Sequence, residues 1–79
     1  MIAVEDDTAY RMDACGRMTL FDVTDPHRPA LLGSIRPLQY GRIWGLQVAG
    51  GFVYLRIDLD LAVVDARDPA SPRLVTADA

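Results

Sequence analysis

Apolar residues along this chain come in short runs broken by clusters of Asp, Gly and Pro, and no stretch sustains a helical period. In the second half, Ile43–Val48, Phe52–Ile57, Leu61–Ala66 and Arg73–Ala77 are rich in β-branched and aromatic residues. They are separated by AGG, DLD and RDPASP, all of which are turn chemistry. The first half reads the same way, with Ile2–Val4, Ala9–Asp13, Met18–Val23 and Ala30–Ile35 separated by EDD, ACGR and TDPHRP. The pattern predicts eight short strands and an all-β chain.

The third strand of each half is apolar on alternate and intervening positions alike. In MTLFDV, Met18 and Leu20 oppose Phe21 and Val23; in LAVVDA, Leu61 and Val63 oppose Ala62 and Val64. A strand with two apolar faces belongs between two layers, so sheets stacked face to face are expected, with both faces of each middle strand covered.

The two halves are copies of one unit. Asp22 to Gly33 aligns with Asp65 to Thr76 at a spacing of 43, and five of the twelve pairs are identical, Asp22/Asp65, Asp25/Asp68, Pro26/Pro69, Pro29/Pro72 and Leu31/Leu74. Upstream the spacing is 44, and Ile2, Val4 and Tyr10 fall on Leu46, Val48 and Tyr54. The slip falls between ACGR and the shorter DLD, which places a hairpin tip there. Four strands in this period match a β-propeller blade, whose repeat is about 40–45 residues. The fold class is therefore read as all-β, with two four-stranded antiparallel propeller-type blades in an incomplete propeller. The first unit covers residues 1–36 and the second 37–79, and the first lacks a counterpart of the approach segment Gln39–Gly45.

DPHRP and DPASP have a shared physical reason. Pro presets φ for the second position of a type I turn, and the preceding Asp accepts hydrogen bonds from the turn's own amides. The second Pro holds its predecessor extended, so the chain leaves the corner already in strand conformation. Asp22 and Asp65, at the ends of apolar strands, are expected to bind amides of the same loops.

These features resemble the LVIVD repeat family. Its name-giving strand corresponds here to TLFDV and LAVVD, followed by the DPxxP turn, and its VxVxGxxxYV-like hairpin to LQVAGGFVYL. The resemblance covers nearly the whole chain. It implies a β-propeller, a setting on a cell surface or in a secreted protein, and a role in interaction rather than catalysis. The first copy departs from the family by carrying VEDDTAYRM where Gly-Asn is preferred in the hairpin, which implies a looser turn.

Composition narrows the partners. At 79 residues the chain buries only about 60% of its unfolded surface, so it is a marginal domain. Net charge is −3, with eight Arg, no Lys and no basic stripe, so nucleic acid is not an expected partner. No apolar run approaches the roughly 18 residues of a membrane span, so no membrane insertion is expected. Cys15 is the single cysteine, so an intrachain disulfide is excluded, and it is read as a hairpin-tip residue.

No residue is assigned as catalytic, cofactor-binding or metal-ligating. His27 is the only histidine, and Ala70 takes its place in the other copy, so the corner does not require it. Glu5-Asp6-Asp7 and Asp58-Leu59-Asp60 lack the spacing of a calcium loop and are read as solvated turns. Gly50-Gly51 precedes a strand, not a helix, and so is a hairpin turn rather than a phosphate loop. Trp44, Tyr40 and Tyr54 are read as sheet packing.

A propeller uses about four to eight blades, and repeat arrays need about three units for stability. Two units leave sheet faces and edges open, so the expected partners are further blades or self-association, with another protein as a further option. The chain is thus read as a non-catalytic scaffold or interaction segment. The alternative is a piece of an enzyme whose propeller centre carries a metal or catalytic site completed by other blades.

Overall fold

A computed structural model describes residues 1–13, 16–36, 43–57 and 60–78, without side chains at 60 and 76–78. Cys15, Tyr40, Asp58 and Leu59 lie outside the described residues, as does the side chain of Asp60. The strands are β1 (Ile2–Glu5), β2 (Thr8–Met12), β3 (Met18–Asp22), β4 (Ala30–Ile35), β5 (Ile43–Ala49), β6 (Phe52–Ile57), β7 (Asp60–Asp65) and β8 (Arg73–Asp78). All eight predicted strands are present. They form two antiparallel four-stranded meanders, in the orders β1-β2-β3-β4 and β5-β6-β7-β8.

The two sheets share one register. Thr8 pairs with Asp22 and Met12 with Met18 in the first, while Phe52 pairs with Asp65 and Arg56 with Leu61 in the second. Both last strands are bulged at the same place, between Leu20 and Phe21 in one sheet and between Val63 and Val64 in the other. A bulge reproduced at the repeat position is part of the unit's design, since it bends the outermost strand and raises its twist.

Turn chemistry explains the tight first hairpins. Gly50 (φ 60) and Gly51 (φ 82) both take the left-handed backbone that a two-residue turn between right-twisted strands requires. At the corresponding turn of the first sheet Asp6 takes φ 54, a conformation that Asp tolerates better than most side chains. The EDD hairpin, expected to be loose, closes with Glu5 paired to Thr8.

The sheets stack on one core. Tyr10, Met12, Met18 and Leu20 from the first sheet meet Val53, Leu55, Ile57, Ala62 and Val64 from the second. Register assigns these to single faces: Tyr10 pairs with Leu20 and Met12 with Met18, whereas Val53 pairs with Val64 and Leu55 with Ala62. The contributing faces are opposite ones in repeat terms. The equivalents of Met18 and Leu20 are Leu61 and Val63, which point away from the core, while the buried Ala62 and Val64 correspond to Thr19 and Phe21 on the first sheet's outer side. Successive sheets therefore stack in the same sense, front of one on the back of the next, as in a blade array.

This geometry covers one face of each middle strand, not both. Phe21 and Val63 are half-buried and Leu61 is 47% exposed, because each sheet has a single neighbour. Cutting a fully buried inner side chain, Leu55→Ala, is expected to destabilise the chain by about 2–5 kcal/mol. Leu61→Ala on the outer face should cost no more than about 0.5 kcal/mol. Urea unfolding followed by circular dichroism compares the two.

Candidate functional site: the sheet junction and the open faces

The chain joins its two sheets at two places, both at the end of the second sheet that carries its hairpin turn and its DPASP corner. At the first, the carboxylate of Glu5 accepts hydrogen bonds from the amides of Gly50 and Gly51, each at 3.1 Å. The acid that ends β1 thus caps the hairpin turn of the next sheet, and β1 and β5 approach more closely than any other strands of different sheets. The clamp borders an open cleft of about 450 Å³ whose lining includes Thr8, Tyr10, Arg67 and Pro69. Burial, followed by the charges of Glu5 and Asp6, pushes the Tyr10 hydroxyl above its ordinary pKa, so the phenol stays neutral there.

A second joint is made by backbone. A Cβ placed on Gly33 in β4 would lie 2.5 Å from the carbonyl oxygen of Pro69 and 3.1 Å from that of Ala70. Gly33 therefore lets the DPASP corner of the second sheet press against β4 of the first.

The corners themselves are duplicated atom for atom. The amides of Arg28 and Ser71 donate to the carbonyls of Asp25 and Asp68, both at 2.9 Å, closing the two turns. Asp25 accepts from the His27 amide at 3.0 Å, and Asp68 from the Ala70 amide at 3.2 Å. Before each corner, Asp22 accepts from the Thr24 amide at 2.9 Å and Asp65 from the Arg67 amide at 3.1 Å. Val23 and Ala66 tie the corners to the hairpins through their amides, bonded to the carbonyls of Asp7 and Gly51 at 2.8 Å. The conserved geometry rests on Asp and Pro, so His27 contributes only its amide, which Ala70 matches.

The second corner adds charge. Arg67 reaches Asp65 through Nε at 3.1 Å and Nη2 at 2.9 Å, and Arg73 lies 3.9 Å away. The guanidinium also sits 4.9 Å over the Phe52 ring. Hydrogen bonds from the Arg67 side chain, then from its amide, hold Asp65 down at about 2. At the first corner Thr24 replaces Arg67, and its hydroxyl, then its amide, lower Asp22 in the same direction. An open cleft of about 520 Å³ lies beside Asp65, Arg67, Asp68 and Ser71. Among the described residues no three His, Cys, Asp or Glu side chains come together as a metal site, and Glu5 of the acidic run is held by the clamp.

Residues 40–77 match the LVIVD repeat family, which is associated with β-propellers. That stretch is an LVIVD repeat. No curated protein and no solved structure matches the chain. The LVIVD unit supplies β5 to β8, and the first sheet reproduces its register, its bulge and its corner. Every described element is a strand, and no helix is long and apolar enough to cross a membrane.

The open faces of the two sheets are what their chemistry leaves available. Ile2 (67%), Val4 (59%) and Leu31 (67%) are exposed with the outer side of the first sheet, and Tyr54 (39%) and Leu61 with that of the second. Trp44 is also exposed, in β5. Sequence reasoning placed Tyr54 and Trp44 in sheet packing; in this chain Tyr54 is 39% and Trp44 55% exposed. It missed Glu5 and Gly33, because each acts on a partner more than thirty positions away; only the loss of both at their repeat positions, Ala49 and Thr76, hints at a local role.

Two outcomes follow. Gly33→Ala forces a Cβ into the Pro69 carbonyl and is expected to cost about 1–3 kcal/mol in urea unfolding. Asp65 titrates lower when folded than when unfolded, so the unfolded chain binds more protons and stability rises with pH. Stability should hold above about pH 4 and fall as pH drops towards 2. Asp65→Asn should flatten that slope in acid titrations.

Proposed function

We propose that this chain is a non-catalytic β-propeller repeat segment, a scaffold that binds protein through its open sheet faces. The observation that supports this is the equivalence between open and buried positions. Tyr54, Leu61 and Val63 on the second outer face stand where Tyr10, Met18 and Leu20 form the core. The half-buried Phe21 on the first outer face stands where Val64 is buried. Each open face is therefore built like a face that buries itself against a sheet, and its natural occupant is another blade. Apolar exposure of this kind marks interaction surface.

Such surfaces attract apolar ligands in the native state. The folded chain is expected to bind an apolar fluorescent dye, and Leu31→Asp with Leu61→Asp is expected to lower that binding several-fold while the sheet spectrum and melting temperature change little. A stable monomer that binds no dye would contradict the proposal.

A further inference from the structure

The junction inside the chain also defines what the next junction needs. Stacking runs in one sense, so a second copy added to the array would lay the outer face of its first sheet on the outer face of this chain's second sheet. The apolar centre survives in that arrangement, through Tyr54, Leu61 and Val63 against Phe21. The joining devices do not.

Arg56 holds the repeat position of the buried Met12, and Arg11 holds that of the buried Leu55; both arginines are exposed. A second copy would bring two guanidiniums into the dry centre of the interface. Of the acids that register places on those two faces, Asp65 is already held by Arg67, and Asp78, opposite Leu61, lies on the edge strand β8. Unpaired charge buried in this way is strongly unfavourable. The close approach fails as well, since the position of Gly33 is occupied by Thr76. So does the clamp: Ala49 stands in place of Glu5, and the turn it would face is Asp6-Asp7 rather than Gly50-Gly51.

We infer that the outer face of the second sheet is a docking surface for a β-blade of different sequence that brings a carboxylate to Arg56, and that it rejects a second copy of this chain. The inference rests on the reading of the open faces as blade-docking surfaces and adds which blade they accept. Charge complementarity sets the choice, with an apolar centre supplying area and one buried ion pair supplying selectivity.

Light scattering over a concentration series tests it. The wild-type mass is expected to be the same as that of Leu61→Asp at every concentration. With the close approach restored, Thr76→Gly/Arg56→Glu should associate head to tail in a salt-sensitive way, and adding Arg11→Glu should abolish the association. The mirror variant, Thr76→Gly/Arg11→Glu, places the acid on the other sheet and should associate equally, which guards against misfolding of either one. Wild-type association dissolved by Leu61→Asp would overturn the selectivity while leaving blade docking intact. Folded charge-swap variants that remain at the wild-type mass would overturn the role of the carboxylate.

Discussion

Everything in this structure depends on the front of one sheet packing against the back of the next. Tyr10, Met12, Met18 and Leu20 have no other apolar surface to meet, and neither have Val53, Leu55, Ala62 and Val64. A symmetric, face-to-face pairing would join equivalent faces and close the structure. Stacking in one sense joins unlike faces and always leaves one of each kind open. The exposed Ile2, Val4, Leu31 and Leu61 are therefore a consequence of the architecture rather than a defect of a small domain.

Polar chemistry fixes how the sheets meet. Apolar burial alone would let them slide or rotate, because it has no direction. The Glu5 clamp on Gly50 and Gly51 holds the second sheet's hairpin to β1, and the contact between Gly33 and the Pro69 carbonyl holds the adjacent corner to β4. The DPxxP corners are rigid because Asp carboxylates satisfy their amides, so the second corner can act as a firm surface against β4. At that same corner Arg67 covers Phe52 and holds Asp65 ionised, which ties its stability to pH.

The sheet architecture was legible in the sequence because strands, turns and repeats are local signals. Asp22 and Asp65, Pro26 and Pro69 announced the corners, and the shared spacing announced the copies. Sequence also showed two apolar faces on LAVVD and MTLFDV, but could not show that only one neighbour covers each. That depends on how many sheets the chain supplies, not on the strand. The interblade contacts of Glu5 and Gly33 were not legible, since an acid in a turn and a glycine in a strand have ordinary local explanations. Their roles emerge only when the register brings residues of adjacent repeats together.

Methyl-to-methyl nuclear Overhauser contacts test the stacking sense most directly. Contacts from Met18 and Leu20 to the methyls of Val53, Leu55 and Val64, with none to Leu61 or Val63, are the predicted result. Contacts from Met18 or Leu20 to Leu61 or Val63 would mean that equivalent faces meet, and would contradict the account.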